Sequence, residues 1–504
     1  MNRKYEKAQW QRSREVAERI VIQGTLVLET PACFGNGDAE SYTDMPLTRD
    51  LLTGKALLTG ASIAGALRNY LRECELGYNV AERKSGSTHA ELLFGHLFKA
   101  RQETVHSWLM IDDGLEKDAP EELTIELRDG VGIDPETRTA DKGMKYDIEL
   151  LPAGTKFKLT FELWRPENEG KLVSGSLNNP QCSLFDALIF CLHGLQDRRI
   201  HLGQRKRRGL GQCTVQDWKI WRFDMNSDKG LCAWLDFDPD ANPPYPPHET
   251  VLPPAPTFRD NRERFFVSAN FKLDSSMLIR AGDPVVDMVH LKSQRDGVLM
   301  PILPGTSVAG ALRARVLRIA QTVLSHQPNA AKDLVEGMFG SKPQRKGNEE
   351  LTGSRVLVKE TDIKKVNYDL VQSRVKIDRF TGGAFPGALF SQQPLFGRDD
   401  TEIEIQLELH KPNDDKKRKN FEAEVGLLLL VLKDLWTSDL PLGGESSVGR
   451  GRLIGMNARF EILDKDYLLE QSNDKLKISD SKGRDEHELR NELESYVRKL
   501  QEVA

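Results

Sequence analysis

The sequence is poor in the features of secreted and membrane proteins. It has six cysteines in 504 residues, all in the first half and none in a C-x-x-C arrangement, which argues against a disulfide framework or a standard zinc site. No apolar run approaches the roughly 18 residues needed to span a bilayer, and the chain starts with charged residues instead of a signal peptide. We therefore expect a cytoplasmic protein with no membrane contact. A zinc site formed by Cys182, Cys191 and His193 stays open as an alternative.

The chain also lacks an overall positive charge, since its formal net charge is −5. Nucleic-acid binding depends on the local patch more than on this global sum. Acidic residues concentrate in 112–126 and in the C-terminal tail, whereas six basic residues fall within eleven positions: Arg198, Arg199, Arg205, Lys206, Arg207 and Arg208. The charge distribution therefore leaves a nucleic-acid partner open.

One stretch of the sequence occurs twice. TGASIAGALRNYLR at 59–72 returns as PGTSVAGALRARVLR at 304–318, and Gly65 and Gly310 within these stretches are 245 residues apart. Two unrelated helices would rarely share such a run, so we infer a duplicated domain. A length of 504 residues suits two domains of somewhat over 200 residues each.

Each copy of this stretch predicts a loop that leads into a helix. Ser62 and Ser307 are the predicted caps, and apolar residues then recur at helical spacing. Free amides at a helix N-terminus favour an anion, and Gly65 and Gly310 would let another backbone come close. The alternative is an amphipathic helix with a solvated basic face. Its basic residues are Arg68, Arg72, Arg313, Arg315 and Arg318.

Further motifs keep the register of the repeat. Asp44-Met45 and Asp287-Met288 are 243 residues apart, LLFG at 92–95 matches GMFG at 337–340, and the late turn at 209–211 matches that at 449–451. Excursions rich in glycine and proline, at 130–157 and 373–399, share an Ile-Asp pair. Each lies before an alternating strand and predicts either a protruding thumb hairpin or a solvent loop. Strands are predicted at 19–30 and 264–274 and helices at 183–196 and 423–436.

The order of these elements predicts an α+β fold with two tandem ferredoxin-like domains of β-α-β-β-α-β connectivity. Eight prolines lie between Pro239 and Pro256, and such density predicts an extended linker. A final helix is expected from about Asp485 to Val503. The expected organisation is an extension at 1–18, a first domain at 19–237, a linker at 238–259, a second domain at 260–463 and a charged tail at 464–504.

In this order, the loop acid, the helix start, the [LM]FG tripeptide, the Ile-Asp thumb and the late glycine turn resemble the RAMP superfamily, the repeat-associated proteins of CRISPR systems. Each half is similar to the backbone subunit that binds guide RNA in type III effector complexes, over 19–237 and 264–463. The fused pair resembles the double-length subunit of the D subtype. The resemblance implies guide RNA, complementary target RNA and other effector subunits as partners, and thumbs that displace a target nucleotide at regular intervals.

The resemblance also implies an endoribonuclease with one catalytic aspartate in each copy. The matching positions are Asp44 and Asp287, although the second copy has Val289 where the family has proline and a longer loop before Asp296. Weakly held Mg²⁺ or Mn²⁺ is the expected cofactor, with these two aspartates as candidate ligands. Both aspartates could instead form turns, and Asp38 and Asp283 are rival acids. The residues expected to contact RNA are Arg49, Ser62, Arg68, Arg72, Arg205, Lys206, Arg207, Arg208, Lys292, Arg295, Ser307, Arg313, Arg315, Arg379 and Arg450.

Three functions fit these observations. The first is a guide-binding backbone subunit that cleaves target RNA at two sites. The second is a structural backbone without catalysis. The third is a metal-independent endonuclease that processes guide RNA with a histidine such as His201 as the base, although His193 and His201 have no counterparts in the second copy and are expected to be structural.

Overall fold

The computed structural model describes residues 15–37, 43–80, 88–98, 103–117, 125–134, 137, 139–167, 169, 181–241, 245–295, 297–341, 352–414, 418–472 and 475–503. Most of the predicted N-terminal extension lies outside the described residues, as do Asp38 and Asp296. In the part of the chain that is described, no helix is both long and apolar enough to cross a membrane.

The first copy contains a long central strand flanked by other strands and by helices. Its strands are β1 (Val16–Leu28), β2 (Leu57–Leu58), β3 (His96–Phe98), β4 (Glu103–Val105), β5 (Leu109–Ile111), β6 (Gly114–Lys117), β7 (Glu126–Ile133), β8 (Ala140–Leu150), β9 (Lys156–Pro166) and β10 (Cys213–Asp224). Its helices are α1 (Gly60–Leu76), α2 (His89–Phe94), α3 (Leu184–Gln196) and α4 (Asp228–Leu235), with a short 3₁₀ turn at Lys206–Arg208.

The second copy repeats this arrangement. Its strands are β11 (Arg264–Asp274), β12 (Ser276–Met277), β13 (Arg280–Ala281), β14 (Met288–His290), β15 (Lys292–Arg295), β16 (Val298–Leu303), β17 (Val356–Val358), β18 (Thr361–Asp362), β19 (Val366–Asn367), β20 (Gln372–Ile377), β21 (Ala384–Gln393), β22 (Leu395–Gly397), β23 (Glu402–His410), β24 (Arg452–Ile462), β25 (Lys465–Ser472) and β26 (Lys475–Ser479). Its helices are α5 (Gly305–Val323), α6 (Pro328–Phe339), α7 (Phe421–Trp436) and α8 (Glu486–Arg498), with 3₁₀ turns at Ser446–Val448 and Lys499–Glu502.

Both copies have the strand order of a ferredoxin-like domain. In the first copy β1 lies between β9 and β10, and β5 pairs with the other edge of β9, all antiparallel. In the second copy β11 lies between β23 and β24, and β17 pairs with the other edge of β23. Counting only these four strands of the β-α-β-β-α-β unit, the order across each sheet is 4-1-3-2. The predicted α+β fold is therefore confirmed in both copies.

Alternating apolar residues place the core on one face of each sheet. Along β1, Ile20, Ile22 and Leu26 are fully buried in the core formed with α1 and α3. Val21 points to the opposite face, where it packs with the aromatic residues Trp221 and Phe223. The second copy has its own core, in which alternate residues of β11 pack against α5 and α7. Each copy thus buries enough apolar surface for a domain of its own.

The charged tail extends the second sheet. β24 pairs with β25 and β25 with β26, and α8 then packs on α7, where a side chain at Gly426 would collide with the carbonyl oxygen of Tyr496. Asp485 caps α8 by accepting from the amide of His487 at 2.9 Å. The predicted final helix is confirmed, and the tail belongs to the core of the second copy because Leu489 and Leu500 are buried there.

The contacts divide the chain into two units. Unit 1 comprises Met1–Ile125, Glu149–Gln204 and Gly211–Arg262, and unit 2 comprises Glu126–Ile148, Arg205–Leu210 and Glu263–Ala504. Unit 2 therefore contains the second copy together with two segments from the first, whereas the ranges expected from the sequence are contiguous.

The first of these segments is held in unit 2 by buried charge. Arg128 donates to Glu360 Oε2 at 2.5 Å and to Ser293 Oγ at 2.9 Å. Burial by itself would lower the pKa of Arg128, but the carboxylates of Glu360 and Glu126 raise it above the ordinary value. The ion pair between Arg128 and Glu360 therefore fixes the start of β7 to the second copy.

Candidate RNA interface

The two excursions form hairpins, as one of the two sequence interpretations predicts. The first thumb consists of β7 and β8, and the second thumb consists of β20 and β21, which pair antiparallel. Near each tip the backbone closes the same kind of turn: the amide of Asp134 donates to the carbonyl of Thr139 at 3.0 Å, and the amide of Asp378 donates to the carbonyl of Gly383 at 2.9 Å. The thumb prediction is thus confirmed in both copies.

The thumbs carry apolar side chains that point into solvent. Phe380, at the tip of the second thumb, is 100% exposed and lies next to the exposed Arg379. Other exposed apolar residues of the two thumbs are Leu127, Val131, Ile133, Met144, Val375, Ile377, Phe385 and Leu389. Because a hairpin without a partner gains nothing from exposed apolar groups, this surface is suited to contact with another molecule.

Asp44 lies exposed on the first acid loop, which comprises residues 43–49. Glu149 of β8 holds this loop on both sides of the aspartate. Its Oε1 accepts from Thr43 Oγ1 at 3.0 Å and its Oε2 accepts from the amide of Leu47 at 3.1 Å, while its own amide donates to the carbonyl of Met45 at 3.1 Å. The return strand of the first thumb therefore fixes the loop that carries Asp44.

Asp287 lies exposed on the second acid loop, which comprises residues 283–290. Its Oδ2 accepts from the amide of Ser391 at 2.7 Å and from Ser391 Oγ at 2.9 Å. These two bonds lower the pKa of Asp287, so the group is an ionised carboxylate at neutral pH. Ser391 belongs to β21, and the loop is further fixed by parallel pairing of Met288 with Gln392.

In the second acid loop, the aspartate that forms a turn is Asp283, the rival candidate to Asp287. Asp283 accepts from the amides of Val285 and Val286 at 2.9 and 3.0 Å, and these bonds lower its pKa. The carboxylate of Asp287 is bound instead by a serine 104 residues away in the sequence. The turn interpretation therefore applies to Asp283 and does not account for Asp287.

A protein-only metal site is not visible around these acids. The described residues contain no group of three or more His, Cys, Asp or Glu side chains that could hold an ion together. Magnesium often binds through one or two carboxylates with the remaining ligands from substrate phosphates and water, and a single exposed aspartate fits that use. The alternative zinc ligands are placed elsewhere: His193 Nε2 bonds the carbonyl of Pro253 at 2.8 Å, and the Cys191 thiol lies in the core.

The repeated stretch forms a helix in each copy, but the predicted caps are wrong. Both helices begin at the glycine that precedes the serine, so Ser62 and Ser307 lie inside the first turn. The cap of α1 is Thr59, whose side chain accepts from the amide of Ser62, and α5 starts after Pro304 without a side-chain cap. The serines keep their position at the helix N-terminus, where free amides favour an anion.

The inner glycines of these helices face open space. A side-chain carbon added at Gly65 or Gly310 would meet no heavy atom of the described residues within 4 Å, apart from its own helix backbone. Arg68, one turn further, lies 3.2 Å from His96 Nδ1 through its Nη2, whereas Arg72 donates to the carbonyl of Val80 at 2.6 Å. The helix surface at Gly65 and Gly310 is therefore open to the backbone of another molecule. The guanidinium of Arg72 already has a hydrogen-bond acceptor in the segment that follows its own helix.

The second helix places Arg313 and Arg315 in different surroundings. Arg315 Nε donates to Asp434 Oδ2 at 2.6 Å and is mostly buried, so it ties α5 to α7. Burial lowers the pKa of Arg313, and Glu336 offsets part of this effect. Arg313 is therefore the better candidate for an RNA phosphate.

The late glycine turns have the same conformation in both copies. Arg205 and Glu445 adopt left-handed conformations, a 3₁₀ turn follows, and Gly209 and Gly449 are left-handed again. The predicted match of the two turns is confirmed. Their side chains differ, because the first turn carries four consecutive basic residues, Arg205 to Arg208, where the second carries Glu445 and Ser446.

The basic turn lies against the start of α5 within unit 2. A side-chain carbon at Gly305 would approach the carbonyl oxygen of Arg208 to 2.3 Å, and Arg208 Nη1 donates to the carbonyl of Val356 at 2.8 Å. Burial lowers the pKa of Arg208 to about 10, and nearby cations add to this effect. These cations are Arg207, Arg313 and Arg205. A phosphate at this cluster would relieve the repulsion between its charges.

Other predicted RNA ligands are engaged inside the protein. Arg450 is 3% exposed, and its guanidinium donates to Glu445 Oε2 at 2.8 Å and to Gln372 Oε1 at 2.8 Å. An RNA-binding role does not fit this position, and Arg450 instead holds the second glycine turn to the second thumb. Arg295 likewise donates to Asp362 at 2.9 Å.

Among the remaining predicted ligands, Arg49 belongs to the first acid loop and Lys292 follows the second by two residues. The side chain of Arg49 is exposed, and its Nη2 lies 3.8 Å from Glu149 Oε2. The ammonium of Lys292 lies over the ring of Tyr368, 4.2 Å from its centre. In unit 2 the Arg205 guanidinium stacks on Tyr146 at 4.2 Å, which holds the first thumb next to the basic turn.

Sequence reasoning missed Glu149, Ser391 and Arg128. Each makes its main contact across more than 100 residues of sequence, so no local spacing marks it. A weak signal existed for the first two, since both lie in the strand that returns from a predicted thumb.

Comparison with known proteins agrees with the duplicated fold. A search of curated proteins finds no match. The family model described as the RAMP superfamily matches residues 25–214 and 270–454. These segments include both acid loops, both helix starts and both thumbs, and together they cover most of the chain. The protein therefore belongs to the RAMP superfamily, the CRISPR-associated RNA-binding proteins, and contains two copies of its domain.

Proposed function

We propose that this protein is a backbone subunit of a type III CRISPR effector complex, in the double-length form of the D subtype. In this proposal it binds guide RNA and cleaves complementary target RNA at two sites, one in each copy. The observation that carries the proposal is the pair Asp44 and Asp287. Both are exposed carboxylates at matching positions of a duplicated fold, and each lies on a loop fixed to the return strand of a thumb.

The cluster at the start of α5 is the proposed contact for the guide backbone. Arg208 and Arg313 supply positive charge there, and the open face at Gly310 lets a sugar-phosphate backbone approach. Contacts to phosphate position an RNA without reading its bases. This suits a subunit that must accept guides of any sequence.

The thumbs are the proposed elements that separate guide from target. Exposed apolar and aromatic side chains such as Phe380 and Phe385 offer surfaces on which bases stack without sequence preference. A thumb inserted between the strands would unstack one nucleotide. The acid loop bound by the return strand of that thumb would then act on the distorted phosphodiester.

Cleavage in this arrangement needs few protein groups, because RNA supplies its own nucleophile. The 2′-hydroxyl loses its proton as its oxygen attacks the phosphorus, the bond to the 5′-oxygen breaks, and the leaving 5′-oxygen takes a proton from water. The products carry a 2′,3′-cyclic phosphate and a 5′-hydroxyl. A splayed backbone brings the attacking and leaving oxygens into line, which removes much of the barrier. Asp44 and Asp287 would take the hydroxyl proton or hold a divalent cation against the phosphate.

A divalent cation is part of the proposal. Asp44 and Asp287 would each provide one carboxylate ligand, and bound Mg²⁺ or Mn²⁺ would neutralise charge that develops on the phosphate. For Asp287 the low pKa favours a role as a charged ligand over a role as a proton acceptor.

Other effector subunits are the proposed protein partners. Within unit 2, the base of the first thumb and the basic turn pack on the second copy through Arg128 and Arg208. Similar packing onto a neighbouring subunit would place further thumbs along one guide. A contact of this head-to-tail kind does not close on itself and generates rows.

The test is to map the cuts that the assembled complex makes in an end-labelled, guide-matched RNA. With Asp44→Ala and Asp287→Ala combined, two cuts should disappear while guide and target remain bound, and chelation of divalent ions should suppress the same cuts in the unaltered complex. Survival of every cut in the double variant would establish the structural backbone alternative. Cutting that persists after chelation and needs His201 would favour guide processing instead.

A further inference from the structure

The return strand of each thumb touches the acid loop of its own copy. In the second copy, the contact is made to the acid itself. Ser391 Oγ donates to Asp287 Oδ2 at 2.9 Å and accepts from the amide of Asp287 at 3.1 Å, and the Ser391 amide donates to the same carboxylate oxygen at 2.7 Å. Asp287 Oδ2 accepts both bonds that Ser391 donates. These bonds restrict the rotation of the carboxylate, so its Oδ1 points in a defined direction.

In the first copy, the side chain that holds the acid loop is that of Glu149. Glu149 binds residues on either side of Asp44, through Thr43 Oγ1 and the amide of Leu47. Its side chain is largely buried, whereas Asp44 is exposed. The loop is thereby held as an arch whose two ends are fixed to β8.

We propose that Ser391 and Glu149 are positioning residues, each of which fixes the acid loop of its own copy to the return strand that carries it. This inference rests on the proposed cleavage function. In the second copy, the strand that displaces the target nucleotide also binds the acid itself, so the carboxylate keeps a defined position relative to that thumb. Small errors in such a position are costly, since misplacement by about 1 Å can slow a reaction about 100-fold.

Two substitutions, one in each copy, test the inference. Ser391→Ala removes two of the three bonds and should slow the second cut about tenfold, because a hydrogen bond to a charged group is worth that much. Glu149→Ala should slow the first cut by a similar factor. Each variant should leave the other cut unchanged, so each complex contains its own control for assembly and guide binding.

Conservative variants separate positioning from simple loss of structure. Ser391→Thr keeps the hydroxyl and should restore the second cut to within about twofold of the original rate. Glu149→Gln keeps one acceptor oxygen and should restore the first cut in part. Ser373→Ala is the matched control, because Ser373 pairs with Ser391 and β20 lies on the opposite edge of β21 from β14, the strand of the acid loop. It should change neither cut.

The measurement is the single-turnover rate constant of each cut, with Asp287→Ala and Asp44→Ala complexes run in parallel. If the aspartate variants erase their cuts but Ser391→Ala and Glu149→Ala cleave at the original rates, the positioning role is wrong and the proposed function stands. Equal slowing of both cuts by either variant would also refute it, because the coupling would not be local. If the aspartate variants still cleave, the proposed function itself fails.

Discussion

At the scale of single residues, exposure and pairing distinguish functional from structural charge. Asp287 and Arg208 combine a perturbed pKa with a place on the candidate interface. Arg450 and Arg315 carry the same charge as Arg208, but they form ion pairs inside the protein with Glu445 and Asp434, respectively. The identity of a residue in a motif therefore says less about RNA contact than the partner that its side chain already has.

Removal of Arg208 should weaken RNA binding in a way that depends on salt. The change Arg208→Ala removes one phosphate contact, so the slope of log affinity against log salt should fall by about 0.7 for single-stranded RNA. Affinity should fall alike for every sequence, because phosphate contacts carry no base information. The control is Arg498→Ala, an exposed arginine of α8, which should change nothing. A loss restricted to some sequences would mean that Arg208 contacts bases.

His290 predicts a loss of stability in acid. Its Nδ1 accepts from the amide of Ile279 and its Nε2 donates to the carbonyl of Ile302, so the neutral ring is the one that fits. Burial lowers its pKa to about 4, below the value of about 6.5 in the unfolded chain. The contribution is therefore complete above pH 6.5 and is lost as pH falls toward 4.

The measurement for His290 is the free energy of unfolding at pH 7.5 and pH 5. The unaltered protein should lose about 2 kcal/mol through this group over that interval. His290→Gln keeps an acceptor and a donor without a titrating proton, so its loss over the same interval should be smaller by about that amount. Equal losses would show that His290 titrates normally in the folded state.

At the scale of elements, the two glycine turns show why a motif recurs. Gly211 and Gly451 have positive φ, and a side-chain carbon would approach the carbonyl oxygens of Leu202 and Leu442 to 1.8 and 1.9 Å. Both a left-handed backbone and a close approach are needed, and only glycine satisfies both. The turn is therefore constrained in shape, while the side chains around it are free to diverge between a basic and an acidic version.

Substitution at the second turn tests this constraint. Gly451→Ala should lower the free energy of unfolding by at least about 2 kcal/mol, because strain and collision add. Gly353→Ala is the matched control, since its added carbon would meet no heavy atom within 4 Å among the residues that the structure describes and its φ is not positive. Denaturant unfolding of both variants gives the comparison. A Gly451→Ala protein as stable as the control would contradict the close approach.

Local pattern predicted the elements of the fold but not the contacts that organise the site. The sequence predicts β11 with its observed ends, because alternation of apolar residues marks a sheet with one buried face. The start of α1 was predicted one turn late, because Ser62 and Thr59 both favour caps and the sequence does not say which amide is free. Ser391 and Arg128 could not be predicted, since their partners depend on the folded path of the chain.

At the scale of the whole molecule, the duplicated domain contains two similar acid loops that are held in place by different residues. Both copies keep the ferredoxin-like sheet, the helix start, the thumb and the acid loop. The acid loop is held by a glutamate in one copy and by a serine in the other. The two proposed centres should act independently, because each acid loop is held by a residue of its own copy and the effects of changes at independent sites add in free energy.

The most direct test of one centre per copy is a map of cuts with each aspartate changed alone. Asp44→Ala should erase one cut in a guide-matched RNA and Asp287→Ala a different one, with guide and target bound in both complexes. The remaining cut should keep its original rate in each case. Loss of both cuts in either single variant, or survival of both cuts in each of them, would contradict the account.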